Sequence, residues 1–234
     1  FPQGYTPEEV GNRLAYRFME KYRISDRKGI GYADTFNWSG ALKYAAIAKD
    51  ERLVKLLQNK FDSLFTTKKN ILPKKTHVDW NMFGSLCLEL YKITKEKRYL
   101  DLGISYADTQ WELPGNAKAK EKEWDAKGYS WQTRLWIDDM YMITIVQTQA
   151  YKVTGDRKYL DMAKYFVEET GRGTDGHRLN AYSQDHMPIL QQEEIVGHAV
   201  RAGYLYSGVA DVAALTKDTA YFHAICRIWD NMAT

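Results

Sequence analysis

Two aspartates stand at matching places in this chain, each where a turn-like segment gives way to an apolar helix. They are Asp79 in His-Val-Asp-Trp-Asn-Met-Phe-Gly and Asp138 in Trp-Ile-Asp-Asp-Met-Tyr-Met. Twelve and thirteen residues later one hairpin pattern recurs, Tyr91-Lys-Ile-Thr-Lys-Glu-Lys-Arg-Tyr-Leu100 and Tyr151-Lys-Val-Thr-Gly-Asp-Arg-Lys-Tyr-Leu160. A repeat fold that sets two carboxylates at the same end of neighbouring helices can point both into one cavity. Paired carboxylates suit proton transfer: partial burial beside a second carboxylate raises one pKa toward the working pH, and the other orients substrate or water. Taken singly, each aspartate also suits a plain helix N-cap.

The elements that must position these residues read as helical throughout. Thr6-Pro7-Glu8-Glu9 starts the first helix, with Thr6 as cap, Pro7 in the first turn and Glu9 completing a capping box. That helix runs to about Tyr22. Four helix-turn-helix units follow at intervals of 46, 60 and 62 residues, counted on Asp50, Glu96, Asp156 and Asp218. In each unit the first helix is apolar nearly all round, as in Met82, Phe83, Leu86, Cys87, Leu90 and Ile93. The second is amphipathic, as in Tyr159, Leu160, Met162, Ala163, Phe166 and Val167. An inner apolar helix paired with an outer amphipathic one, repeated, predicts an all-α fold: an α/α toroid of about nine helices, a single domain over residues 1–234. The turns then align Asp34, Trp38, Asp79, Asp138 or Asp139, and the His198/Arg201 pair near the starts of successive inner helices. Helix starts favour anions through unpaired N–H groups and the helix dipole.

Composition narrows the function classes. A net charge of +3 over 63 charged residues is too small to argue for nucleic acid. No apolar run approaches the ~20 residues that span a bilayer. Cys87 and Cys226 lack metal-ligand spacing and read as buried thiols, so neither metal nor cofactor is expected. The run Lys118 to Glu123 alternates in sign and reads as a solvated loop. Aromatic content is 14%, with seven Trp and seventeen Tyr, and aromatic faces with polar edges suit sugar rings. The chain starts at Phe1 without an initiator Met, which fits a mature product after signal cleavage or a recombinant product.

Four motifs together resemble the unsaturated uronyl hydrolases, glycoside hydrolase families 88 and 105, with family 105 the closer. They are Ala33-Asp34-Thr-Phe-Asn-Trp38-Ser-Gly40, His77-Val-Asp79-Trp-Asn-Met-Phe-Gly84, Leu88-Glu-Leu-Tyr91 and Trp136-Ile-Asp-Asp-Met-Tyr-Met142, spanning about residues 5–168. The resemblance implies an (α/α)6 barrel that removes 4,5-unsaturated galacturonyl or glucuronyl residues from lyase-generated oligosaccharides by hydrating the enol-ether double bond. By the same resemblance Asp138 is the acid/base and Asp79 its partner, although the internal repeat equates Asp79 with Asp139. Arg134, Arg201 or a lysine would hold the uronate carboxylate. Trp38, Trp131 and Trp136 would stack on sugar, with His77 and His198 as further contacts; the two later tryptophans also suit a plain core role. The family's usual Trp-x-Arg-Gly-x-Gly-Trp stretch is absent.

From about Gly173 the wording changes. Ala181-Tyr-Ser-Gln-Asp-His186-Met-Pro-Ile-Leu190, Glu194-Ile-Val-Gly-His198-Ala-Val-Arg-Ala202 and Tyr204-Leu-Tyr-Ser-Gly-Val-Ala-Asp211 resemble glycoside hydrolase family 127, the β-L-arabinofuranosidases. That resemblance implies a zinc-binding group of one Glu and three Cys further along, and Cys226 fits none of those positions, so arabinofuranosidase chemistry is not expected. His186 and His198 suit contacts to sugar hydroxyls or a structural role. The two resemblances read as a chimera of barrel fragments, engineered or an unusual truncated recombinant product, joined near residues 155–175. The expected partner is an oligosaccharide ending in an unsaturated uronic acid, with a non-catalytic engineered scaffold as the alternative. Apolar faces on an incomplete toroid predict a homodimer. The resemblance implies a bacterial periplasmic or cytoplasmic location.

Overall fold

Residues 1–134, 137–173 and 180–233 are described in the computed structural model. Every regular element among them is helical. The α-helices are α1 (Pro7–Lys21), α2 (Tyr32–Ile47), α3 (Glu51–Asp62), α4 (Val78–Asn81), α5 (Phe83–Thr94) and α6 (Lys97–Thr109). They continue with α7 (Ala119–Ala126), α8 (Ile137–Thr154), α9 (Arg157–Glu169), α10 (Ala199–Thr216) and α11 (Thr219–Ala233). The all-α class and the nine expected helices are thus present, and two short ones, α4 and α7, are additional. None of the helices is long and apolar enough to cross a membrane.

The additional helix α7 replaces the solvated loop expected at Lys118 to Glu123. Its start is closed by the Glu121 carboxylate, which accepts from the Lys118 N–H at 2.7 Å. Trp124 anchors it by burial, and Lys127 reaches back to Glu123 at 2.9 Å, one helical turn away. A single buried residue per two turns leaves no apolar period to read.

The hairpins are closed by one repeated turn. Thr94, Thr154 and Thr216 each donate a hydroxyl to the carbonyl four residues back, at 2.9, 2.8 and 2.8 Å. The same oxygens accept from the N–H of Glu96, Asp156 and Asp218, at 3.2, 3.1 and 3.3 Å. The residue between is left-handed each time: Lys95 (φ 60°), Gly155 (φ 71°) and Lys217 (φ 58°), with Lys49 (φ 56°) at the corresponding place in the first hairpin. Asp50, Asp156 and Asp218 then cap the outer helices by accepting from Leu53, Lys158 and Ala220 N–H groups.

A second repeated contact fastens each outer helix to the one before it. Tyr99 donates its hydroxyl to Asp62 at 2.5 Å, and Tyr159 to Asp108 at 2.8 Å. Arg98 and Lys158 add ion pairs to the same two carboxylates, at 3.0 and 3.2 Å. Burial, helped by the hydrogen bond to Asp108, pushes the Tyr159 hydroxyl up to about 12.

The chain divides into two compact units, Phe1–Tyr106 and Ala107–Thr234. In the first, α2 packs against α1, α3 and α5 around an aromatic core. Trp38, Phe61, Phe83, Tyr99 and Tyr106 are nearly or fully buried there, with Phe61 stacked on Phe83 at 5.5 Å. Gly103 lets α6 close onto α5, because a Cβ would lie 2.6 Å from the Leu88 side chain. Each fully buried Leu or Phe in such a core contributes about 1.5–3 kcal/mol.

In the second unit, α8 packs against α9 and α10, and α10 against α11. Asp138 pairs with Arg201 at 3.3 Å and Lys152 with Asp211 at 3.0 Å, so α8 and α10 run in the same sense and their starts lie together. The outer flank of α11 carries Phe222, Trp229 and Met232, 59, 63 and 51% exposed. Phe222 also lines an apolar groove of about 460 Å³ whose walls include Ala210, Ala214 and Ile225.

Two outcomes test this description. Gly155→Ala should cost about 1 kcal/mol and Lys217→Gly gain about as much, because only the left-handed strain changes; equal shifts of one sign in thermal unfolding would refute the shared turn. The association expected from the sequence would use the α11 flank, so Trp229→Glu should convert a dimer to a monomer in light scattering. A Trp229→Glu dimer as stable as the unsubstituted one would place association elsewhere.

Candidate functional site

At the start of α8 two neighbouring carboxylates have opposite fates. Successive helix residues point about 100° apart, so Asp138 and Asp139 cannot share a direction. Asp139 turns inward and is fully buried. Its Oδ2 accepts from the Arg134 backbone N–H at 2.6 Å and the Thr133 hydroxyl at 3.2 Å. Its Oδ1 accepts from Arg134 Nε at 3.0 Å and Nη2 at 2.5 Å. A buried charge is tolerated when paired and fully hydrogen-bonded, and Asp139 is both.

Asp138 faces the start of α10 instead, with its side chain 24% exposed and its Oδ2 3.3 Å from Arg201 Nε. The Arg201 guanidinium also lies over the Tyr182 ring, 5.1 Å from its centroid. Tyr182 meets the His198 ring edge-on at 5.6 Å. His198 is the exposed N-cap residue of α10, and its side chain makes no capping bond. One acidic group, one guanidinium, one imidazole and one phenol thus gather at the starts of two parallel helices. His186 lies on the same loop as Tyr182, half-buried, with its Nδ1 lacking a hydrogen-bond partner among the described residues.

The first unit holds the other expected residues. His77 caps α4, accepting from the Asp79 N–H at 3.2 Å through Nδ1. The same nitrogen lies 3.6 Å from Asp79 Oδ2. Asp79 is partly exposed, beside Trp80, which is 43% exposed and tilted against His77 at 5.5 Å. Asp34 closes the start of α2 by accepting from Gly31 N–H at 3.1 Å, and pairs with Arg27 at 3.2 Å.

Several expected binding roles are corrected. Trp38 is fully buried, with Phe18, Tyr22 and Phe61 around it at 5.5–6.0 Å, so neither face is open to a sugar. Trp131 is also buried, its Nε1 donating to the Thr109 carbonyl at 2.8 Å. Both are core aromatics, as high apolar content next to an inner helix allows. The Arg134 guanidinium is engaged by Asp139 rather than presented to a carboxylate ligand. Trp136 lies outside the described residues. Sequence reading missed Tyr182 and Trp80; the pairing of an aromatic with a His or Arg nearby in the chain was the available signal for both.

Comparison with known proteins follows this geometry. The family model described as β-L-arabinofuranosidase, GH127 catalytic domain, matches residues 125–234. A non-reducing end β-L-arabinofuranosidase of Bifidobacterium longum subsp. longum is 28% identical over 110 residues, covering 39% of this chain and 17% of that protein. Among solved structures, a GH127 β-arabinofuranosidase superposes with TM-score 0.60 and 26% identity over 96% of this chain and 38% of its own. A family 76 glycoside hydrolase from a bovine Bacteroides thetaiotaomicron strain shares the fold, with TM-score 0.54 and 16% identity over 83% of this chain and 45% of its own. The chain is therefore glycoside hydrolase-like with an all-α fold, and it spans 17 to 45% of the length of these relatives.

These matches bear on two expectations. One family model runs without a break through residues 155–175, so it gives no sign of the junction expected there. Among the described residues no group of three or more His, Cys, Asp or Glu could hold a metal ion. Cys226, the lone cysteine of the matched segment, does not supply the Cys/Glu set that the family 127 resemblance implies.

The two aspartates should separate in denaturation. Asp139→Asn should cost about 1–3 kcal/mol, because it puts an amide nitrogen in a fully buried place that faces the Thr133 and Arg134 donors. Asp138→Asn should cost no more than about 1 kcal/mol, since its pair is partly solvated. Equal losses in urea unfolding would contradict the assignment of Asp139 to structure and Asp138 to the site.

Proposed function

We propose that this chain forms the carbohydrate-binding face of a glycoside hydrolase of the β-L-arabinofuranosidase type. The observation that carries the proposal is the Asp138–Arg201 pair, with Tyr182 and His198 around it, inside the segment that the family model matches. In this role Asp138 accepts hydrogen bonds from sugar hydroxyls, and Arg201 and His198 donate them. Acting instead as a proton donor, Asp138 would first have to leave its arginine. The polar groups stand at helix starts, where backbone dipoles also orient ligand oxygens.

The expected alternative, hydration of an unsaturated uronyl residue by Asp79 and Asp138, rests on the motifs around those two residues alone. The matches described above are to arabinofuranosidases and a family 76 enzyme, so they lend it no support. It remains worth testing because Arg201 is a plausible partner for a uronate carboxylate on charge alone.

One titration decides between these readings. The protein is titrated calorimetrically with an oligosaccharide ending in β-L-arabinofuranose, and separately incubated with an unsaturated uronyl disaccharide whose double bond absorbs in the ultraviolet. Binding of the first should be saturable and weakened at least about ten-fold by Asp138→Asn, the loss of a hydrogen bond to a charged group. Absorbance of the second should stay constant. A fall in absorbance abolished by Asp138→Asn or Asp79→Asn would replace the arabinoside reading with the uronyl one. No binding of either sugar would end both.

A further inference from the structure

The loop of residues 180–198, between α9 and α10, has little regular structure, yet its backbone is held from inside by two buried glutamines. Gln184 is fully buried and left-handed, at φ 56°. Its Nε2 faces three carbonyl oxygens, those of Val196 at 2.7 Å and of Tyr182 and His198 at 3.2 Å each. Gln192, also fully buried, donates through Nε2 to the carbonyls of Gln184 at 2.7 Å and Met187 at 2.9 Å. Its Oε1 accepts from the Tyr206 hydroxyl at 2.6 Å, and its backbone carbonyl accepts from Arg227 Nε at 3.0 Å.

These bonds converge on the backbone of Tyr182. Its carbonyl accepts from Gln184 Nε2 and from the His198 N–H, the latter at 3.2 Å. Gly197, at φ 74°, closes the other side: a Cβ there would lie 2.1 Å from the Ala181 carbonyl oxygen and 2.7 Å from Tyr182 Cα. A left-handed non-glycine residue is strained, and burying amide groups adds to the cost. The surroundings tolerate this strain, as they do at ligand-holding sites.

What the arrangement holds in place is an exposed ring. The Tyr182 residue is 57% exposed, although its main-chain carbonyl accepts two hydrogen bonds and Gly197 packs against its Cα. The Arg201 guanidinium lies over the ring, 5.1 Å from its centroid, and the His198 ring stands T-shaped to it at 5.6 Å, while more than half of the residue stays exposed. An aromatic with an apolar face and polar neighbours at its rim matches a sugar ring, which has a C–H face and a belt of hydroxyls.

We infer that Tyr182 is a stacking platform for a sugar ring, with Gln184 as the positioning residue that fixes it and Arg201 and His198 as hydroxyl partners at its rim. The inference rests on the carbohydrate reading of the site and adds the residue that recognises the ring face. The ligand class is a neutral glycoside, one ring lying on Tyr182 while its hydroxyls reach the Arg201–Asp138 pair.

Saturation-transfer NMR and calorimetry test this with the same oligosaccharide ending in β-L-arabinofuranose. Tyr182→Ala should weaken binding about ten-fold and abolish transfer to the C–H face of one sugar ring, whereas Tyr182→Phe should stay within about two-fold. Gln184→Gly suits the left-handed backbone and so spares the strain; it should weaken binding while the Tyr182 variants keep the unsubstituted melting temperature. Tyr182→Ala binding as tightly as the unsubstituted protein overturns the platform and leaves the carbohydrate reading standing. Failure of the unsubstituted protein to bind overturns the reading beneath it as well.

Discussion

A carboxylate buried without water must have its lone pairs filled, and Asp139 meets that requirement within five residues of its own chain. The Arg134 fork and backbone N–H fix how α8 is rotated about its axis, because the helix cannot turn without stranding the charge. Once that rotation is set, Asp138 is aimed at α10 by the geometry of a helix alone. Arg201 answers it, and Arg201 in turn backs the Tyr182 ring. The orientation of the second unit's candidate site therefore hangs on the ion pair between Arg134 and the buried Asp139.

The same accounting explains why α8 carries so many buried polar side chains. Gln147 donates from Nε2 to the Ala107 carbonyl at 2.9 Å and to Gln110 Oε1 at 2.7 Å. Ser130, Trp131 and Gln132 donate to the carbonyls of Gln110 and Thr109. Those are the last carbonyls of α6, which have no partner within their own helix. Gln147 of α8 and the segment of residues 130–132 before it thus cap the end of α6 with side chains. The hairpin turns solve the opposite end with a threonine that donates backward and accepts forward.

Much of the local structure was legible beforehand. The Thr6 capping box forms as expected, with Thr6 and Glu9 bonded reciprocally. The hairpin turns fall at Asp50, Glu96, Asp156 and Asp218, because capping and turn chemistry act over four or five residues and leave their marks in order along the chain. The core positions of Trp38 and Trp131 were not legible, since a tryptophan in or near an inner helix looks the same whether it faces a core or a cavity. Helix α7 was missed because charge pairs one turn apart carry no apolar period.

The sequence by itself determined that this chain is all-helical, where its hairpins turn, and which polar residues stand at helix starts. It also carried the wording of a glycoside hydrolase, in the stretch from Ala181 to Asp211 that lies inside the matched family segment. Only the tertiary structure buried Asp139 against Arg134, turned Asp138 toward Arg201, and brought Tyr182 against Arg201. The physical reason is range. Helix and turn preferences are set by neighbours a few residues away, whereas the direction of a side chain is set by which distant groups can satisfy or bury it. Tyr182 and Arg201 are joined through a loop whose two glutamines hold it from the inside, and no local pattern announces that.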